Sequence, residues 1–135
     1  MSKRIADNVI SISTPLDVSF FRAWLDFTTP LHGLTNKERL VMAYYLKEHY
    51  ELNKVITDNA ILAQVLASTT TKQKIMDACD LKASNLQVVL HRFKKLGVMK
   101  EGAIDPKLIP AITEEALTSG EFRLMIMFSI KNETE

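Results

Sequence analysis

The sequence is poor in the residues that build disulfides, phosphate-binding loops and membrane spans. Cys79 is the one cysteine among 135 residues, so a disulfide framework and a cysteine-based metal cluster are both excluded. The four glycines match neither common spacing of a phosphate-binding loop. The chain has no apolar run long enough to span a bilayer and no basic-then-apolar leader, so we expect no membrane partner and a cytoplasmic location.

The sequence also has almost no excess of charge of one sign, since its formal net charge at pH 7 is only +1. The charges are unevenly spread along the chain, however. Residues 70–100 hold seven basic and two acidic side chains, whereas residues 101–135 hold three basic and seven acidic ones. The basic section would orient the protein toward a phosphate backbone or another acidic surface.

Catalytic and metal-binding groups form no recognisable pattern either. His32, His49 and His91 lie far apart, and no pair has the spacing of metal ligands on one helix, so we expect no metal site. Cys79 occupies an apolar helical position, where a buried structural thiol is more usual than a nucleophile. The tyrosines are expected in the core or at its rim. We therefore predict no catalytic residue, no cofactor and no enzyme activity.

The first 33 residues are predicted to form an arm and a short helix that pack on the core. Residues 8–13 alternate polar and apolar side chains, which is typical of a short strand or an extended arm. Asp17 then begins a helix whose apolar residues recur at helical spacing. Pro30 and Gly33 end this unit.

Residues 34–135 are predicted to form the main domain, and the hydrophobic content of 47% is enough for one core in a chain of this length. Thr35 and Glu38 make a capping box, in which each residue satisfies the backbone N–H of the other. This box begins a long helix that runs to about Tyr50 and is the expected centre of the core. A further helix over NAILAQVLA is capped by Thr57 or Asp58.

Two helices joined by a tight turn are predicted between residues 71 and 99. The polar residues 68–71 favour a cap, because short hydroxyl side chains compete for nearby backbone groups. The first helix then covers residues 72–79, with Ile75 facing inward. Residues 80–83 make the turn.

The second of these helices is predicted to begin at Ser84, with Gln87 completing another capping box. Gly97 ends it, since a left-handed residue is wanted there. One stripe of this helix is apolar and is expected in the core: Leu86, Val89, Leu90, Phe93 and Leu96. The opposite face is mainly polar and basic and is therefore free to meet a partner.

Strands are predicted after this helix. Residues 98–104 make a hairpin, with Glu101 and Gly102 at its turn. Residues 121–130 alternate strongly and are apolar on both faces, which predicts a strand with neighbours on each side. We expect that strand to pair with the 98–104 strand, with the N-terminal arm as a further candidate neighbour.

These elements predict a mostly α protein with a small antiparallel sheet, an α+β fold. Over residues 34–130 their order resembles the winged helix-turn-helix superfamily: a leading helix, two helices in a turn, then an antiparallel strand pair. In that family the second helix of the turn enters the DNA major groove. The resemblance implies a winged helix-turn-helix-like domain at 34–135, behind the strand and helix extension at 1–33.

The resemblance also implies a non-catalytic protein that binds duplex DNA through the helix at 84–96. Asn and Gln side chains pair with adenine edges, Arg with guanine, and Lys with phosphates. One such module gives limited affinity, so we expect a homo-oligomer, most simply a dimer. Carried over by position, the contacting residues are Lys72, Lys74, Lys82, Ser84, Asn85, Gln87, Val88, His91, Arg92 and Lys95.

An alternative rests on a second resemblance, since the chain also looks like small proteins of tailed bacteriophages, some of which use such folds in assembly. It implies a structural or assembly protein, such as a head-tail connector or ring component, in a virion or in host cytoplasm. Other phage structural proteins would then be its partners. The near-neutral charge and the apolar excess in 122–130 favour this alternative.

A third possibility is an accessory protein that binds another protein through the acidic section 101–135.

Overall fold

The computed structural model describes residues 11–125 and 129–131. They form a mostly helical structure with one small antiparallel sheet, so the predicted α+β class is confirmed. A short 3₁₀ helix at Pro106–Leu108 follows the sheet. In chain order the other elements are α1 (Val18–Phe27), α2 (Thr29–His32), α3 (Asn36–Asn53), α4 (Asn59–Leu66), α5 (Thr69–Cys79), α6 (Ala83–Leu96), β1 (Met99–Lys100), β2 (Ala103–Ile104) and α7 (Glu114–Ser119).

Helices α1, α3 and α4 begin at polar caps that the sequence predicts. The Asp17 carboxylate accepts a hydrogen bond of 2.8 Å from the backbone of Ser19. The capping box of α3 is complete, because the Glu38 N–H donates to the Thr35 hydroxyl at 3.3 Å and the Thr35 N–H donates to the Glu38 carboxylate at 2.9 Å. Between the two predicted caps of α4, Asp58 is the one used. Each cap satisfies N–H groups that the first helical turn leaves without a backbone partner.

Helix α3 lies at the centre of the core, as the sequence predicts. It continues to Asn53, beyond the predicted end at Tyr50. Its buried face packs between α1 on one side and the later helices on the other. The core side chains of α1, α3 and α6 are Phe21, Leu25, Val41, Met42, Tyr45, Leu46, Leu86, Val89 and Phe93.

Helix α1 is also tied to the chain that follows the hairpin. The Trp24 indole N–H donates to the Leu108 carbonyl at 2.8 Å. The Phe122 ring packs edge-on against Trp24 and Phe20, with ring centroids 5.7 and 5.1 Å apart. These contacts place the N-terminal helix between the central helix and the C-terminal segment.

Helix α5 begins earlier than predicted. Ser68 is its N-cap and accepts from the Thr71 N–H at 3.3 Å, so the helix starts at Thr69 and includes part of the polar run. Ile75 is buried as predicted. Asp80 ends the helix in the left-handed region, with φ of 55°, which Asp tolerates better than most residues.

The predicted capping box at the start of α6 is wrong. Lys82 occupies the N-cap position and makes no side-chain hydrogen bond to the helix. Ser84 already lies inside the first turn, so its hydroxyl cannot take the N-cap place and Gln87 has no cap to complete. Residues 80–82 alone form the turn, one residue shorter than predicted.

The apolar stripe of α6 is buried along most of its length. Leu86, Val89 and Phe93 are buried and Leu90 is half-buried. Leu96 is 42% exposed, contrary to the prediction, because it lies in the last turn where the helix leaves the core. The predicted stop is confirmed: Gly97 is left-handed and follows the last helical residue.

The predicted hairpin is present and lies against α4. Its turn residues Glu101 and Gly102 have φ of 51° and 82°, the two positive values of a type I′ turn, whose twist suits a two-residue hairpin. Gly102 is buried, and a Cβ added there would collide with the Ala63 carbonyl of α4. The register places Met99 opposite Ile104 and Lys100 opposite Ala103.

The predicted strand over 121–130 is not formed in the described part of that segment. Residues 121–125 and 129–130 have no regular structure, and the described sheet has two strands; residues 126–128 lie outside the description. Met125 and Ile130 are 83% and 93% exposed, so the expected neighbouring faces are not in place. Of the N-terminal arm, residues 11–13 are irregular and exposed, and residues 8–10 also lie outside the description.

Candidate nucleic-acid interface

Helix α6 presents an exposed face without acidic side chains. The helix contains one histidine, one arginine and two lysines, and neither aspartate nor glutamate. Its apolar stripe is held in the core, which fixes the opposite face toward solvent. The exposed side chains on and beside that face are Ser84, Asn85, Gln87, Val88, His91, Arg92, Lys94 and Lys95.

The two lysines of α5 do not act on the same surface. Side chains two residues apart on a helix point in directions about 200° apart. Lys74 points toward α3, where its Nζ lies 3.6 Å from a Glu48 carboxylate oxygen. Lys72 is half-buried and faces α6. Only Lys72 of this pair therefore adds to the basic surface of α6.

Arg92 is directed to one edge of α6 by an ion pair. Its Nε lies 2.8 Å from the second carboxylate oxygen of Glu38, the acid of the α3 capping box. The Arg92 side chain stays 45% exposed, so the pair is partly solvated and contributes little to stability. It does fix where the guanidinium points, which is toward the start of α3 and away from Lys72.

An open cleft of about 370 Å³ lies along the other edge of α6. The helix forms one wall, and the start of α5, the end of α4, the hairpin and one residue of α3 form the rest. Lys72, His91 and Lys94 supply positive or hydrogen-bonding groups at its rim. Glu101 is the one acidic residue among the described residues that line it.

Tyr45 of α3 lines this cleft although it is only 1% exposed. Within the described residues, every side-chain oxygen or nitrogen that is sealed from solvent has a hydrogen-bond partner. No hydrogen bond joins the Tyr45 hydroxyl to another described residue, so the hydroxyl is not sealed, and the residue lies against the cleft. Burial, and secondly the nearby Cys79 thiol, raise the pKa of Tyr45 to about 12, so at neutral pH the hydroxyl is a hydrogen-bond donor.

Two other titratable groups are shifted by burial. The Cys79 thiol has a raised pKa, which keeps it protonated and weakly nucleophilic at neutral pH. Burial lowers the pKa of His49, which is therefore mainly neutral at pH 7. His49 lines a second, mainly apolar cleft of about 340 Å³ between α3 and the segment after the 3₁₀ helix, away from α6.

The structure divides the ten residues predicted to contact DNA into groups. Lys72, Gln87 and His91 meet at the cleft. Lys82 precedes the helix at its N-cap position. Ser84, Val88 and Lys95 follow the middle of the exposed face, Asn85 and Arg92 lie at the edge near α3, and Lys74 lies on another surface.

Sequence reasoning did not include two residues of this region. Lys94 was available from spacing, because Gln87, His91 and Lys94 are four and three residues apart and therefore share one edge of a helix. Tyr45 gave no such signal. Its place in the core follows from the helical pattern, whereas the opening of its hydroxyl depends on how α4, α5 and α6 pack around it.

Within the described ranges, no helix is long and apolar enough to cross a membrane. The same ranges contain no group of three or more His, Cys, Asp or Glu side chains placed to hold a metal ion.

Comparisons of this chain with protein-family models, with curated proteins and with solved structures give no match.

Proposed function

We propose that this protein is a non-catalytic module that binds duplex DNA with the exposed face of α6. The observation that carries the proposal is the acid-free face of that helix, which offers amide, imidazole and ammonium groups while its apolar stripe is held in the core. These are the groups that contact base edges and phosphates in protein–DNA complexes. We place its action in the cytoplasm of a cell, or of a cell that carries a virus.

The order of elements supports a winged helix-turn-helix mode of docking. Helix α3 leads, α5 and α6 are joined by a three-residue turn at 80–82, and the hairpin follows. In that mode α6 enters the major groove. The hairpin departs from a phosphate-binding wing, since its turn packs on α4 and carries Glu101. We therefore assign phosphate contacts to Lys82 and Lys95, at the two ends of α6, instead of to the hairpin.

The double variant Lys82→Gln/Lys95→Gln tests this assignment. Both side chains are exposed and neither lines the cleft, so the fold should persist. Each lost phosphate contact lowers the slope of log affinity against log salt by about 0.9, so the slope should fall by about 2. The measurement is a titration of fluorescently labelled mixed-sequence duplex DNA at several salt concentrations.

Lys107→Gln is the matched control, because Lys107 is an exposed lysine on the 3₁₀ helix and is not a residue of α6 or of the cleft beside it. It should bind duplex DNA like the unchanged protein. If the double variant keeps the original salt slope, or if the unchanged protein does not bind duplex DNA at low salt, the proposed function is wrong.

A second candidate function is assembly into a larger particle, as a phage structural or ring component. One observation favours it: Phe27 and Leu31, at the end of α1 and in α2, are 49% and 74% exposed. They are four residues apart in consecutive helical segments. Large apolar side chains exposed near each other in sequence are candidates for protein–protein contacts. In this function the partner would be another copy of the chain or another structural protein.

A further inference from the structure

We propose that the cleft along α6, lined by Tyr45, Lys72, Leu90, His91 and Lys94, binds a phosphomonoester that carries a ring-sized apolar group, such as a nucleoside monophosphate. Its volume of about 370 Å³ lies near the lower end of the range for small-molecule sites, about 300–1,000 Å³. The site is distinct from the middle of the α6 face, where Lys95 lies.

The rim of the cleft supplies the phosphate end. Lys72 reaches it from α5 and Lys94 from α6, and His91 stands between them in sequence on the α6 edge. Glu101 is the one acidic residue among the described residues of the cleft, so the two lysines leave the rim with a net positive charge. None of the three rim groups forms an ion pair within the described residues, which leaves their N–H groups available. Ammonium groups that converge on one opening favour a phosphate over a neutral ligand.

The floor of the cleft supplies the apolar end. Leu66, Leu90 and Met99 line it, and each is buried or half-buried by the protein around it. A ring placed over these side chains removes its own apolar surface, and part of that of Leu90, from water, which is the main favourable contribution for a neutral group. The thioether of Met99 adapts to planar groups.

The Tyr45 hydroxyl adds a hydrogen-bond donor to the wall of the cleft. Every sealed side-chain oxygen or nitrogen among the described residues is paired, and no hydrogen bond joins this hydroxyl to another described residue, so the hydroxyl is open to water. Water that it holds there could be replaced by a ligand atom that accepts the same hydrogen bond. A polar atom on a bound ring, such as a nucleobase nitrogen or carbonyl, would accept the hydrogen bond that this donor offers.

The experiment uses the full chain and isothermal titration at low salt with adenosine monophosphate, adenosine and inorganic phosphate as separate probes. Adenosine monophosphate should bind at least about tenfold more tightly than either fragment, since only it fills both ends of the cleft. Lys72→Gln and Lys94→Gln should each weaken it about tenfold, because each removes a charge-assisted hydrogen bond. Tyr45→Phe should weaken it about fivefold, the value of one neutral hydrogen bond.

The control is Lys107→Gln, whose affinity for adenosine monophosphate should be unchanged. Tyr45→Phe keeps the ring and loses a hydroxyl without a described partner, so its melting temperature should stay within about 2 °C. Lys94 is exposed, and its replacement therefore leaves the core intact. Equal affinity for adenosine monophosphate and inorganic phosphate, or unchanged affinity in folded Lys94→Gln, would overturn the proposal.

The same chemistry is carried by a free nucleotide and by the 5′-phosphorylated end of a strand. A short 5′-phosphorylated oligonucleotide and its unphosphorylated twin separate these sources. If the phosphorylated strand binds more tightly than both its unphosphorylated twin and adenosine monophosphate, the cleft is assigned to strand ends. If the phosphorylated strand and adenosine monophosphate bind with equal affinity, the cleft is assigned to the free nucleotide. Neither result depends on duplex binding, because Lys82 and Lys95 lie outside the cleft. If Lys82→Gln/Lys95→Gln loses duplex binding but keeps its affinity for adenosine monophosphate, duplex binding and nucleotide binding use separate sites.

Discussion

Gly102 is the residue at which the hairpin turn meets α4. Its positive φ could be expected from glycine at the turn of a two-residue hairpin, since type I′ turns need positive φ there and glycine adopts it without strain. Gly102 also lies close to the Ala63 carbonyl and to the Ala67 nitrogen of the backbone that follows α4. A Cβ added at Gly102 would lie 3.0 Å from that nitrogen. This closeness depends on the tertiary packing. Gly97 has a similar φ of +77° but has open space around it. A comparison of alanine substitutions at these two glycines therefore separates the cost of backbone strain from the cost of a steric collision.

Gly102→Ala should destabilise the protein far more than Gly97→Ala. Both pay the left-handed strain of about 1–2 kcal/mol. Gly102→Ala adds the cost of forcing a Cβ into α4, about 1–3 kcal/mol by analogy with overpacked cores. The measurement is urea unfolding followed by the fluorescence of Trp24, the one tryptophan in the chain. Equal losses for the two variants would show that the hairpin does not pack on α4.

Tyr45 shows a limit of sequence reasoning at this scale. The helical pattern of α3 predicts a core or rim position, and the side chain is indeed 1% exposed. No pattern in the sequence predicts that its hydroxyl stays open, because the opening is left by three other helices. A residue's burial follows from local periodicity, whereas its partners follow from the packing of distant segments.

Helix starts show what local signals can determine. Thr35 and Glu38 form the predicted capping box. Thr35 is the N-cap of α3 and Glu38 is the third helical residue, the two positions that the box requires. Ser84 and Gln87 have the same spacing but form no box, because α6 begins one residue earlier, after Lys82. The left-handed end of α5 at Asp80 and the packing of Leu81 shorten the turn, and this fixes the start of α6.

Thr35→Ala and Ser84→Ala form a matched pair that tests this difference. Loss of a working N-cap costs about 1 kcal/mol, so Thr35→Ala should lower the free energy of unfolding by about that amount. Ser84→Ala changes an exposed residue inside a helix and should stay within about 0.5 kcal/mol of the unchanged protein. Chemical denaturation monitored by circular dichroism measures both. A loss near 1 kcal/mol for Ser84→Ala would mean that Ser84 does cap α6 in solution.

The strand predicted over 121–130 shows the opposite case, a strong local pattern that the fold does not use in its described part. Alternation predicts a strand only where a neighbouring strand offers free backbone groups. The described hairpin strands are two residues long each, which leaves little edge to extend. Phe122 instead packs on Trp24 of α1, so this part of the segment is held by side-chain contacts.

At the scale of the whole molecule, α1 belongs to the core, while exposed apolar side chains lie at its end and in α2. Phe21 and Leu25 are 2% and 0% exposed, whereas Phe27 and Leu31 lie on the surface. The helix thus has one face that stabilises the fold and a C-terminal end that is free for contact. This arrangement keeps assembly as the second candidate function.

Size-exclusion chromatography with light scattering tests the assembly function. The unchanged protein should be an oligomer whose mass falls to that of the monomer in Phe27→Ser/Leu31→Ser. Both side chains are exposed, so their replacement removes contact surface without opening the core. Met125→Ser, which changes another exposed apolar residue, is the control and should keep the original mass. An oligomer of the same mass in the double variant would exclude Phe27 and Leu31 from the contact.

The sequence by itself determined the helical class, the central helix α3, the caps of α1 and α3, the Gly97 stop and the hairpin turn. All of these depend on residues close together along the chain, where periodicity, caps and turn residues act directly. Tertiary structure decided where α6 begins, that Arg92 pairs with Glu38, that the hairpin lies on α4, and that Lys72, His91 and Lys94 share a cleft above Tyr45. Each of these joins segments that are distant in the chain, and their relation is set by how whole helices fill one core.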